Sequence, residues 1–247
     1  MGVPVVTCTC AVCMSQDRRN HRLRPSGLLR AQGKQILLDA GPDFREQALR
    51  YGITQLDGVV LTHSHYDHIA GLDDLRVFYY LQNRLLPCLL SRSTYEELKI
   101  RTPYFFDKEK EETMGGPRFD YNVIEKEITW AQFCDFEWNF VTYIQNKMEV
   151  TGFKVGNFAY VMDLKEFSPA IFENLRGVEV LVISGLRHKP SPAHLTIDEA
   201  VEFSRKVGAK ETWFSHISHD LEHEETNRQL PQGVQLAYDG LTVPIQC

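Results

Sequence analysis

From residue 27 onward, short apolar runs alternate with amphipathic stretches. "GLLRAQGKQILLDAG" alternates apolar and polar positions and turns at Gln32-Gly33. That pattern predicts a β-hairpin running into a buried strand that ends at Asp39. "PDFREQALRYGI" places Phe44, Ala48 and Leu49 at helical spacing behind Pro42 and Asp43, a helix start. "LDGVVLT" reads as a short buried strand. "HIAGLDDLRVFYYLQN" reads as a helix with Leu72, Leu75, Phe78 and Tyr79 on one face. "LPCLLS" is another strand, and "STYEELKIRTPYFF" opens with a capping-box pattern from Ser93 to Glu96. Several β-like segments fill Asn122 to Met162, and a helix-like stretch leads to the buried strand "VEVLVISG". "TIDEAVEFSRKVGA" is an amphipathic helix, "ETWFSHISHD" a strand with its C-terminal loop, and "VQLAYDGLTVPI" a closing hairpin.

Strands and helices thus alternate in two halves, each beginning β-rich. The pattern predicts an α/β sandwich of sheets covered by helices and not a doubly wound sheet. Ligand groups are expected at the C-terminal ends of strands, at Thr62 onward, Asp163, Ser184 and His216. The whole of 1–247 reads as one domain, with a mobile surface insertion expected near 107–118. Residues 1–25 read as irregular, and the basic run "SQDRRNHRLRPSG" as a solvated loop.

Composition narrows the field. The chain is 43% hydrophobic and 24% charged, as globular proteins are. Its net charge of −6 argues against a general polyanion binder, so contact with phosphate requires a local patch or a metal. No apolar run approaches membrane-spanning length and the N-terminus lacks a basic n-region, which makes a cytoplasmic protein the expectation. Cys8, Cys10 and Cys13 crowd together as C-x-C-x-x-C, a spacing that suits one metal ion better than disulfides. Cys88, Cys134 and Cys247 are scattered and are expected to be buried small hydrophobes.

"LTHSHYDH" carries three of the nine histidines within six residues, at the end of an apolar run. Residues two apart on an extended segment point the same way, so His63 and His65 can grip one ion. Asp67 and His68 lie past the bend and suit a second ion. Imidazole and carboxylate both ligate zinc and similar divalent metals.

"LTHSHYDHIAGLDDLR" resembles the signature of the metallo-β-lactamase superfamily, and "ILLDAGPDFREQ" resembles that fold's preceding strand and helix. With "GVPVVTCTCAVC", the chain most resembles the subgroup containing the phosphoribosyl cyclic phosphodiesterase of phosphonate breakdown. The resemblance implies a four-layer αββα sandwich holding two metals. It assigns His63 and His65 to one metal, and Asp67, His68 and His216 to the other, with Asp163 bridging. It also offers His219 as a fourth ligand to a structural zinc with Cys8, Cys10 and Cys13. His194 matches an active-site histidine outside the metal shell; its plainer reading is a polar residue near a helix start. Arg187, His188 and Lys189 form a basic turn, and His21 and His223 gain no role.

Two departures stand out. The family supplies a further histidine where this chain reads "YIQNKMEV", so that Gln145 stands at the expected ligand position. An amide oxygen is a poorer zinc ligand than imidazole, and the first site should bind more weakly. The family's first strand and glycine-rich turn have no counterpart ahead of Gly2, so either the start lies upstream or that edge strand is missing.

The expected activity is therefore that of a metal-dependent hydrolase, a phosphodiesterase using a metal-bound hydroxide held against Asp67, with His194 assisting the leaving oxygen. The expected cofactors are one or two active-site ions, zinc with manganese as the alternative, and one structural zinc. A small phosphoester is the expected substrate, with no membrane and no nucleic acid as partner; a homodimer is left open. The competing expectation is an eroded, weakly active or non-catalytic metal-binding member of the fold, with Gln145 as a substitute ligand.

Overall fold

The computed structural model describes residues 2–106 and 118–247. The insertion expected near 107–118 lies almost wholly outside the described residues. Two compact units emerge, Arg24–Phe136 and Met1–Leu23 together with Glu137–Cys247.

The Arg24–Phe136 unit is built on a five-stranded sheet in sequence order. Strands β1 (Gly27–Ala31) and β2 (Lys34–Leu38) form the antiparallel hairpin. Gln32 and Gly33 both take positive φ (50° and 76°), the backbone a two-residue hairpin turn requires. Helix α1 (Phe44–Tyr51) follows, then β3 (Gly58–Val60), parallel to β2. Strands β4 (Leu86–Ser91) and β5 (Phe119–Ile124) extend the sheet in parallel. Leu37, Val59, Leu61, Leu75 and Leu90 fill its core. Strand β6 (Trp130–Phe133) closes this stretch of chain.

The single helix expected from His68 to Asn83 is in fact broken into α2 (Tyr66–Ile69), a 3-10 turn over Leu72–Leu75, and α3 (Arg76–Gln82). Gly71 causes the break: its N–H bonds the Ala40 carbonyl at 2.8 Å instead of continuing a helical ladder. A Cβ at Gly71 would meet the Gly41 carbonyl oxygen at 2.1 Å, and one at Gly41 the Asp67 carbonyl oxygen at 2.2 Å. Two glycines therefore let the backbone after β2 lie directly on the backbone of the histidine motif. The expected cap of α4 (Arg92–Arg101) is also corrected. Ser91, not Ser93, is the extended flanking residue whose hydroxyl accepts from the Thr94 N–H.

In the other unit the sheet runs in the order β12-β11-β10-β9-β8-β7. Strands β7 (Phe136–Gln145), β8 (Met148–Val155) and β9 (Phe158–Val161) form an antiparallel meander. After the short α5 (Ile171–Asn174), β10 (Val180–Ser184) pairs in parallel with β9. Helix α6 (Ile197–Val207) has the capping box Thr196/Glu199 and buries Ile197, Ala200, Val201 and Phe203. Strand β11 (Glu211–Ser215) follows. The closing hairpin expected over Val234–Ile245 does not form, because no strand follows the turn at Asp239-Gly240 among the described residues; α7 (His223–Gln229) carries the chain back over, so β12 (Val234–Leu236) lies parallel to β11 instead.

Two further expectations are corrected. The basic run near the N-terminus is not solvated throughout, because Asn20 and Arg22 are buried. Among the scattered cysteines only Cys88 is buried, Cys134 being half-buried and Cys247 exposed. No helix among the described residues is long and apolar enough to cross a membrane.

Candidate metal centre

In the Arg24–Phe136 unit the motif begins where β3 ends. Asp39, at the end of β2, gathers it: the Thr62 N–H and hydroxyl reach its carboxylate at 2.8 to 3.0 Å, and His68 Nδ1 donates to it at 2.8 Å. With the Thr62 proton committed to Asp39, its oxygen accepts from His63 Nδ1 at 2.8 Å. Asp39, Thr62, His63 and His68 are all fully buried. Both rings thus carry their proton on Nδ1, leaving Nε2 as the lone-pair nitrogen for a cation. His63 Nε2 lies 3.0 Å from His65 Nδ1. Two nitrogens about 2.0 Å from one ion stand about 2.9 to 3.4 Å apart, so this pair fits the edge of one coordination sphere. His68 Nε2 is 4.0 Å from Asp67 Oδ2 on the more open side of the motif.

The other unit gathers Gln145, Asp163, His194 and His216. Asp163 follows β9 and His216 follows β11, both at φ 55°, while Asp39 sits at 60°. Left-handed backbone is uncommon outside glycine, and its recurrence at three polar strand ends marks positions held against strain. The Tyr143 hydroxyl, donating to the Met162 carbonyl at 2.6 Å, holds the approach to Asp163. Asp163 Oδ1 lies 3.3 Å from His216 Nε2 and 3.7 Å from His194 Nδ1, and the two rings stack 4.9 Å apart. Asp163, His194 and His216 offer donor atoms within 4.8 Å of one another, placing His194 within reach of an ion there. Gln145, at the end of β7, donates through Nε2 to Asp163 Oδ2 at 2.9 Å, and the same nitrogen is 3.2 Å from His194 Nε2. Its Oε1 is buried and meets no donor among the described residues.

The same unit brings Cys8, Cys10 and Cys13 around His219. His219 Nδ1 lies 3.2, 3.6 and 3.6 Å from the three sulfurs. A tetrahedral zinc with ordinary Zn–S and Zn–N bonds implies S···N edges of about 3.5 Å, so the donor set fits a closed structural site. The Cys13 N–H on its sulfur is the main reason the Cys10 thiol is lowered to about 6; burial pushes Cys13 up. Arg22 fastens the segment behind the cysteines. Its guanidinium donates to the carbonyls of Ser218 and Leu221 at 3.1 and 2.9 Å and to Asn20 Oδ1 at 3.2 Å.

A family model described as the beta-lactamase superfamily domain matches residues 34–217. The chain belongs to the metallo-β-lactamase superfamily. Its two-sheet α/β structure matches the metallo-β-lactamase fold, whose members bind divalent metals, and the histidine and aspartate groups above are donor sets of that kind. It is similar to a solved diphosphatase of the PhnP family, 40% identical with a TM-score of 0.89, covering 100% of this chain and 94% of that one. A Porphyromonas gingivalis protein named octanoyltransferase is 35% identical over 243 residues, 97% of this chain and 48% of that protein. The chain thus spans about half the length of that relative. A ribonuclease Z of Methanopyrus kandleri is 25% identical, covering 91% of this chain and 92% of that one.

In the sequence Asp39 stands out as no more than a strand end, although a carboxylate closing a buried strand needs partners. Arg22 carries no local signal at all, because its buried role depends on carbonyls nearly two hundred residues away. The basic turn at Arg187 is internally tied, the guanidinium donating to the Lys189 and Pro190 carbonyls at 3.3 and 3.4 Å.

Proposed function

We propose that this superfamily member is a metal-dependent hydrolase acting on a small phosphoester, a phosphodiesterase. The observation that carries it is the Asp39 network, which presents His63 and His68 through Nε2 as metal-binding histidines are presented. The 40% identity to a diphosphatase supports a phosphoryl substrate.

Following the family pattern, His63 and His65 would hold one ion, Asp67, His68 and His216 the second, with Asp163 serving both and Gln145 as substitute ligand at the first. Cys8, Cys10, Cys13 and His219 would hold a structural zinc. Zinc is the proposed active-site metal, with manganese as the alternative. When bound, such ions lower the pKa of coordinated water toward neutrality and neutralise charge on phosphoryl oxygens. Asp67 orients the attacking water, and His194 gives a proton to the leaving oxygen. A net charge of −6 supports a small substrate over a polynucleotide, and a cytoplasmic setting accords with three reduced thiols around a metal.

The test is elemental analysis of protein purified without chelator, with bis-p-nitrophenyl phosphate turnover on the same sample. About three metals per chain with turnover supports the reading. About one metal and no turnover supports a second reading, an eroded member keeping only its structural site. Gln145 favours that second reading, since an amide oxygen is a poorer zinc ligand than an imidazole nitrogen.

A further inference from the structure

Gln145 is 2% exposed, at the last position of β7, where it pairs with Met148 across a tight turn. Asn146 and Lys147, at φ 45° and 70°, fix that turn, so the side chain leaves the strand from a determined position. Asp163 accepts hydrogen bonds and cannot give them when ionised, so the amide atom 2.9 Å from it is the NH2 group. That leaves Oε1 as a buried acceptor with no donor among the described residues. Such an acceptor is costly, and a carboxamide has a means of relief. Its terminal torsion is broad and two-fold, and a half-turn exchanges oxygen and nitrogen without changing the space filled. A cation held there would be met by the oxygen after such a half-turn, whereas the N–H otherwise stays on Asp163.

We propose that the Gln145 carboxamide tunes the ion beside Asp163 toward a hard, oxygen-preferring divalent cation, manganese in preference to zinc. The inference rests on the metal-hydrolase reading and, for its first ion, takes the manganese alternative in place of zinc. Imidazole nitrogen suits zinc, copper and nickel, whereas carbonyl, carboxylate and water oxygens suit manganese and magnesium. Exchanging one imidazole for one amide oxygen therefore weakens zinc more than manganese.

The experiment compares the full chain with Gln145→His, Gln145→Glu and Gln145→Met, each retaining its cysteine-bound zinc. Manganese affinity is read by the EPR signal of free ion, and zinc affinity by competition with a chromogenic chelator. Gln145→His should raise zinc affinity about ten- to hundredfold while leaving manganese within a few-fold. Gln145→Glu should strengthen manganese more than zinc, and Gln145→Met should weaken manganese. An unchanged zinc-to-manganese ratio in both the His and Glu variants overturns the proposal. If that ratio is unchanged while the parent chain binds its ions and turns over phosphodiester, the hydrolase reading survives. If no variant binds any ion beyond the cysteine-bound zinc, both fail together.

Discussion

Asp39 Oδ2 accepts from His68 Nδ1 at 2.8 Å, with both side chains fully buried. The carboxylate fixes which nitrogen of His68 is left to ligate and, through Thr62, does the same for His63. Asp39→Asn should keep the fold but lower active-site metal affinity about ten- to hundredfold. Elemental analysis after dialysis, beside the far-UV circular dichroism spectrum, checks this. Full metal retention would leave Asp39 a purely structural residue.

Asp67 is one-third exposed and stands beside His68, so its loss should be felt in chemistry more than in stability. Asp67→Ala is expected to cost about a thousandfold or more in phosphodiester turnover, with stability changed by less than about 1 kcal/mol. Steady-state kinetics and urea unfolding measure the two separately. Turnover near the parent level would end the proposed role.

Cys10→Ser should remove one zinc per chain and loosen the N-terminal segment, leaving it held by Arg22 and Asn20 alone. Limited proteolysis should then cut within residues 2–23 while leaving the rest protected at early times. Equal protection with and without the zinc would show that Arg22 and Asn20 suffice alone.

His223 is buried against Tyr238, and burial, with Arg19 and Arg22 nearby, holds its pKa below the ordinary histidine value. The unfolded chain therefore binds this proton more readily than the folded one, and stability falls as pH drops below about 6.5 toward the folded-state pKa. His223→Leu should flatten that part of the acid slope in thermal unfolding followed from pH 7 to 5. An unaltered slope would assign the acid sensitivity elsewhere.

Local pattern carried much of this molecule. The Gln32-Gly33 hairpin, α6 with its cap, and the strand-end placement of His63, Asp163 and His216 all follow from periodicity and turn chemistry over a few residues. What the pattern could not carry was set by distant backbone. Gly71 interrupts a well-patterned helix because Gly41 lies against it, thirty positions earlier. The chain's last strand is parallel because α7 intervenes, and that helix is too short and polar for periodicity to reveal it. Gln145 reads in the sequence as a missing histidine, yet its hydrogen bond to Asp163 exists only because the end of β7 meets the end of β9 in space.

The thiol–imidazole contact between Cys8 and His219 joins positions 211 apart in the chain. During synthesis the three cysteines emerge long before the histidine that completes their set. Domains take shape as the chain leaves the ribosome, at a few to some twenty residues per second. For that interval the thiols must be shielded from oxidants, or wait with a metal held by three sulfurs. With the proposed structural zinc in that set, maturation of this protein would be coupled to the redox poise and zinc supply around the nascent chain.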